Sequence, residues 1–285
     1  VPNRRGPTLR SRSLGKQLRE LRESANLTLQ EVASYMQRDP SSISRMETGV
    51  HPARIPDVLA YVTLCGESRP DRREQLVQLA QDAWQTGLWD RYGEDDLKAL
   101  MDLTWLEARA SEIRAFEAIV LPGLLQSPAY AAAVIRASDA TRQQADIDRW
   151  VNVRLRRQEI LDEPRQPRLH AVLDESVLHR VVGGKHVMRE QLLHLVETAR
   201  RPNVTISVLP WGTGAHASPE GCFNVLFMDE PYTDVGYMET PTGPVFVERD
   251  EVEKLIDRHD RLSRAALGDE ESIALTLQIA EEMDT

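Results

Sequence analysis

The sequence predicts a mainly α protein in two parts, an all-helical N-terminal domain of five helices over residues 1–86 and an α+β domain with a small sheet over residues 87–285. Three observations predict it. Residues 24–49 hold two short helix patterns, each with its own start signal. Helical periodicity continues to about residue 86 with no strand pattern. Beyond residue 110, short apolar runs bounded by turn residues alternate with amphipathic helices, which is the signature of a mixed domain.

The stretch Ser24 to Gly49, SANLTLQEVASYMQRDPSSISRMETG, organises the first part. Thr28 and Glu31 form the T-x-x-E capping box, in which each side chain satisfies a free donor at a helix start. Leu29, Val32, Ala33 and Met36 then fall on one helical stripe. Asp39 is an N-cap residue, and Pro40 stands at the first helical position, where its missing N–H costs nothing. The second helix, Pro40 to Glu47, turns Ile43 and Met46 inward and leaves Ser41, Ser42, Arg45 and Thr48 outward, with Gly49 closing it. Small polar residues around one Arg suit the major groove of DNA, because they allow close approach and Arg can donate twice to guanine. Spacing alone leaves open a second reading, a polar surface helix of an ordinary bundle.

These residues carry a resemblance. L-T-L-Q-E-V-A followed by D-P-S-S-I-S-R-M-E-T-G is similar to the lambda-repressor-like, or XRE, helix-turn-helix family. The resemblance implies sequence-specific DNA binding. It implies an ion pair between Glu47 and Arg22 of the first helix, base contacts from Pro40, Ser41 and Arg45, and backbone contacts from Thr28, Ser42 and Thr48. Two positions depart from the family. Leu29 stands where Gln is frequent, so the phosphate contact there passes to neighbouring Gln30. Gln37 stands in the turn where Gly is usual. Arg54, in the loop after the second motif helix, is either a further phosphate contact or a surface charge.

The whole chain of 285 residues carries a formal net charge of -10, with the charge unevenly placed. Residues 1–60 hold ten Lys or Arg against six Asp or Glu, and the remainder 25 against 39. A basic end attracts phosphates while an acidic body limits non-specific binding. Cys65 and Cys222 lie far apart with no C-x-x-C pair, which predicts reduced thiols in a cytoplasmic protein. No apolar run approaches the roughly 20 residues that span a bilayer, and no apolar signal core follows the N-terminus.

Along the chain, residues 1–12 read as a basic arm, either solvated or touching DNA. Leu14, Leu18, Leu21 and Ala25 stripe the first helix. Pro56 to Cys65 forms another, with Val58, Leu59 and Val62 inward. Asp71 to Thr86 completes the five, with Leu76, Leu79, Ala80 and Ala83 on one face. Trp84, Trp89 and Tyr92 crowd the predicted boundary. Asp95 to Ala110 reads as a long helix with Leu97, Leu100, Met101 and Trp105 inward. Ala140 to Asp162 is a charged helix whose Arg149, Arg154, Arg156 and Arg157, interleaved with acids, predict a solvated face. Strands are expected at 113–120, 169–173, 204–209, 222–228, 235–238 and 244–247, and helices at 128–137, 185–201, 250–266 and 269–283.

P-G-L-L-Q-S-P-A-Y, L-D-E-S-V-L-H-R-V-V-G-G and the segment from N-V-T-I-S-V-L-P to G-C-F-N-V-L-F-M-D resemble the C-terminal region of actinomycete WhiJ-like, antitoxin-like XRE regulators. That resemblance implies transcriptional control beside a small acidic partner protein, and no catalytic residues. The alternative function is a small-molecule sensor with an effector pocket in the C-terminal domain. A third, an enzyme fused to the DNA-binding domain, would have to use His216 and Ser218 in the Gly212–Gly221 loop. Adjacent side chains in such a loop seldom form a nucleophile and its base, and G-x-S-x-G is absent. His170, His179, His186 and His194 have no metal-binding spacing around them. The expectation is therefore a homodimer on a palindromic operator, with no cofactor and no metal.

Overall fold

The computed structural model describes residues 9–84, 102–162, 166–230 and 232–283. Two compact units form, Val1–Leu103 with Glu230–Tyr232, and Thr104–Asp229 with Thr233–Thr285. The expected boundary at 86/87, Trp89, Tyr92, Leu97, Leu100 and Met101 all lie outside the described residues.

The first unit contains α1 (Leu9–Ser24), α2 (Leu29–Met36), α3 (Pro40–Glu47), α4 (Ile55–Leu64) and α5 (Pro70–Trp84). Leu14, Leu18, Val32, Ala33, Ile43, Met46, Val58, Val62, Leu76 and Leu79 form one core. Two expectations need correction. The basic arm is shorter than residues 1–12, because Leu9–Arg12 already belong to α1. Arg10 is buried there, donating to the Asp82 carbonyl 72 positions away in sequence. On α4, Leu59 is exposed and Tyr61 is fully buried in its place. The reason is polar as well as apolar, since the Tyr61 hydroxyl reaches Glu47.

Close helix approach depends on one glycine in particular. A Cβ on Gly15 would lie 2.5 Å from the carbonyl oxygens of both Met46 and Glu47, so α1 packs directly on the end of α3. Between α2 and α3, Gln37 is left-handed, with φ 53 and ψ 46, and its N–H caps α2 at the Ala33 and Ser34 carbonyls. Left-handed backbone costs a residue with a Cβ on the order of 1 kcal/mol. Gln37→Gly is therefore expected to stabilise this unit by about 0.5–1 kcal/mol, less whatever entropy the more flexible unfolded chain recovers. A lowered denaturation midpoint for Gln37→Gly would contradict that.

Residues 102–107 are helical and stop before β1 (Ala110–Glu117), so the helix expected to run to Ala110 ends earlier. In that helix Leu103 and Leu106 are buried, while Trp105 is half-buried. The rest of the second unit comprises α6 (Pro128–Ser138), α7 (Gln144–Gln158), β2 (Arg168–Asp174), α8 (Glu175–His179), α9 (Lys185–Thr198), β3 (Val204–Leu209), β4 (Phe223–Met228), β5 (Val235–Thr240), β6 (Gly243–Glu248), α10 (Asp250–Ala265) and α11 (Asp269–Glu282).

The six strands make one mixed sheet, ordered β3-β2-β1-β4-β5-β6. β1, β2 and β3 are parallel, and β4, β5 and β6 are antiparallel to their neighbours. Parallel strands need long crossovers, which α6–α7 and α8–α9 supply. One face of the sheet, with Phe116, Val172, Phe223 and Val225, packs on Val252, Leu255 and Leu262 of α10. Gly236 permits this approach, since a Cβ there would stand 2.5 Å from the Leu255 side chain.

The expectation of a solvated arginine face on α7 is corrected. Arg157 is buried and forks onto Glu107, with Nε 2.5 Å from Oε2 and Nη2 2.8 Å from Oε1. Arg154 is largely covered and donates to Gln126 Oε1 at 2.7 Å. Gln191 accepts from the Ser127 N–H and donates to the Leu125 carbonyl, so the P-G-L-L-Q-S-P segment is knitted into the fold by buried amides.

Candidate nucleic-acid interface

The motif is built from its caps outward. Thr28 accepts from the Glu31 N–H at 3.2 Å, and the Glu31 carboxylate accepts from the Thr28 N–H at 2.8 Å. The Thr28 hydroxyl also donates to Glu31 Oε2 at 2.7 Å, and the backbone N–H first, with the hydroxyl second, holds the Glu31 carboxyl below the usual carboxylate range. Asp39 sits at the N-cap of α3 in extended conformation without a side-chain capping bond, and Pro40 follows it.

Ile43 and Met46 face the core, as does Glu47. The opposite face presents Ser41, Arg45 and Thr48, all exposed, with Ser42 half-buried beside them. Arg45 lies back along the helix, its Nε donating to the Ser41 carbonyl at 3.2 Å and its Nη2 within 3.4 Å of Ser41 Oγ. Among the described residues it has no acidic partner, so no carboxylate has to be displaced before it can meet a base or a phosphate. The Thr48 hydroxyl donates to the Ser44 carbonyl at 2.9 Å and keeps acceptor capacity only. Gln30 is exposed at the start of α2, while Leu29 packs against the core. The Arg54 guanidinium lies 5.5 Å from the Trp84 ring centroid, and Trp84 Nε1 donates to the Ala53 carbonyl. Arg54 is thus steadied on an aromatic face while staying exposed.

Behind this face Arg22 and Glu47 meet. Arg22 Nε lies 2.7 Å from Glu47 Oε1 and Nη2 lies 2.9 Å from Oε2, and Nη1 donates to the Leu27 carbonyl at 3.0 Å. Their side chains are only 11% and 4% exposed. The Tyr61 hydroxyl donates to the same Glu47 oxygen, and burial together with that carboxylate pushes its pKa far up. Sequence reasoning missed Tyr61. The available signal was the i, i+3, i+4 pattern of Val58, Tyr61 and Val62.

Elsewhere, the Ser218 hydroxyl donates to the Gly221 carbonyl at 2.7 Å, and it is the Ser218 N–H that meets His216 Nδ1. Among the described residues no group of three or more His, Cys, Asp or Glu is placed to hold a metal ion. No described helix is long and apolar enough to cross a membrane.

A short outward-facing helix braced across a capped partner defines a helix-turn-helix protein, and residues 13–75 match the family described as helix-turn-helix domain. Residues 100–278, more than half of the chain, match the family described as domain of unknown function (DUF5753), and the chain belongs to that family. No curated protein and no solved structure matches it. The helix-turn-helix domain is that of a DNA-binding regulator.

Proposed function

We propose that the protein is a sequence-specific transcriptional regulator that reads a palindromic operator as a homodimer. Pro40, Ser41 and Arg45 face base edges, and Thr28, Gln30, Ser42, Thr48 and Arg54 face the sugar-phosphate backbone. The observation that carries this reading is the exposed stripe Ser41, Arg45, Thr48 on a helix whose other face is locked to the core. A dimer places two such helices about one helical turn apart, which is why a palindrome is the matching site. The likeness of both parts to XRE, WhiJ-like and antitoxin-like regulators supports an actinobacterial, cytoplasmic setting and a small acidic partner protein.

Arg45→Ala is expected to lower specific affinity by roughly 1–3 kcal/mol and to relax preference at one base position per half-site. A loss equal on all sequences, measured by fluorescence anisotropy on a series of single-base variants, would restrict Arg45 to phosphate.

A further inference from the structure

The two edges of the sheet are finished differently. At the β3 edge, the Val208 N–H donates to Ser272 Oγ at 2.9 Å, and the Val208 carbonyl accepts from the Leu267 N–H at 2.8 Å. The chain around the start of α11 thus closes that edge. At the other end of the strand order stands β6. Among the described residues it pairs with β5 alone, in one unbroken register from Val235↔Glu248 to Thr240↔Gly243. An edge strand offers a row of main-chain donors and acceptors to any chain that reaches it.

Which groups β6 offers follows from Pro244. In an antiparallel pair, alternate residues turn their main-chain groups toward the partner strand. Pro244 has no N–H to give, so the ladder with β5 stays whole when Gly243, Val245 and Val247 face β5 while Pro244, Phe246 and Glu248 face away. Phe246 then directs its N–H and C=O outward at the middle of the strand. The features that blunt an edge, a proline and a charge, lie on either side of the apolar run Val245–Phe246–Val247 and leave that run open. Val245 is 41% exposed. On the opposite face the Phe246 ring meets the Tyr237 ring with centroids 5.3 Å apart, so an aromatic row ends at the edge.

The strand is also complementary to itself. A second β6 laid antiparallel with Phe246 opposite Phe246 brings Val245 opposite Val247, Glu248 opposite Pro244 and Arg249 opposite Gly243. Apolar residues then meet apolar ones, and each charge meets an uncharged residue. Centring the pair on Val247 instead would set Val245 opposite Arg249 and Phe246 opposite Glu248. Centring it on Val245 would set Phe246 opposite the donorless Pro244. In the Phe246 register the two copies of Phe246 exchange two main-chain hydrogen bonds, and the row of two rings becomes a row of four. The same strand serves both copies, as an interface on a two-fold axis requires.

We propose that β6 is the surface through which two copies of this chain associate, paired antiparallel about Phe246 so that the two sheets become one. The pairing covers Val245 and gives the outward groups of Phe246 their partners. The inference rests on the homodimer reading above and supplies its interface. The two-fold axis through Phe246 is the symmetry that a palindromic operator calls for.

The test is sedimentation equilibrium of the full chain without DNA, over a range of protein concentrations, for the parent and its Phe246 variants. The parent is expected to reach twice the mass of one chain. Phe246→Pro removes the outward N–H and leaves the ladder with β5, and it is expected to weaken association by roughly 10- to 100-fold, the worth of the two hydrogen bonds lost. Phe246→Leu keeps the N–H and is expected to remain dimeric. A second readout does not depend on how well the strand accepts proline. Phe246→Cys is expected to give a disulfide-linked dimer on mild oxidation, because the two Cα atoms of a hydrogen-bonded antiparallel pair stand about 5.5 Å apart. Leu277→Cys, exposed on α11 beside the β3 edge, is expected not to. A monomeric parent would overturn the homodimer reading and this inference with it. A dimeric parent whose Phe246→Cys form does not crosslink, or whose Phe246→Pro form associates as tightly, would overturn the β6 interface alone.

Discussion

Glu47→Ala is expected to destabilise the helix-turn-helix unit by about 3–5 kcal/mol. The substitution removes more than one contact. Arg22, 11% exposed, would keep its charge with the Leu27 carbonyl and the more distant, half-exposed Glu23 carboxylate at 3.6 Å, and the fully buried Tyr61 hydroxyl would lose its acceptor. An uncompensated buried charge costs far more than the pair itself contributes. Arg22→Met with Glu47→Leu, which removes both charges and keeps volume, should recover much of the loss. Chemical denaturation of the three forms checks this. An unchanged midpoint for Glu47→Ala would contradict the pairing.

Arg157→Met is expected to cost the second unit a similar amount, about 3–5 kcal/mol at neutral pH. Glu107 is 3% exposed and the two Arg157 hydrogen bonds are the ones that hold its carboxylate. Burial already pushes the Glu107 carboxyl upward, so without Arg157 it would take up a proton well above the ordinary carboxylate range. The sign follows from linkage. When the folded state binds the extra proton, stability rises as pH falls toward the ordinary carboxylate pKa. The variant should therefore regain stability on mild acidification relative to the parent. A variant whose deficit stays constant with pH would mean that Glu107 finds another cation.

What could be read from the sequence was what is local. The Thr28–Glu31 capping box, Pro40 at the start of α3 and the inward turn of Ile43 and Met46 each depend on residues within one or two turns. The six strand segments were legible because each is a short run with alternating or continuous apolar residues set off by turn residues. Their order across the sheet was not, because parallel and antiparallel partners are set by the packing of crossover helices. Arg154 and Arg157 looked solvated because neighbouring acids surround them in sequence, whereas their partners lie 28 and 50 positions away. Arg10 misled because basic, Pro- and Gly-containing neighbours suggested an arm, whereas its acceptor lies 72 positions away. Leu59 and Tyr61 both fit an apolar helix face by periodicity, and the buried Glu47 carboxylate decides for Tyr61.

The central claim, that the outer face of α3 reads DNA sequence, is tested most directly by selection from a random-sequence duplex pool, followed by binding of the selected site at two salt concentrations by the parent and Arg45→Ala. The account predicts enrichment of a palindrome with half-sites about 10–10.5 base pairs apart, salt-sensitive binding, and a loss in Arg45→Ala confined to one base step in each half-site. No enrichment, or an Arg45→Ala protein that selects the same site with the same affinity, would contradict it.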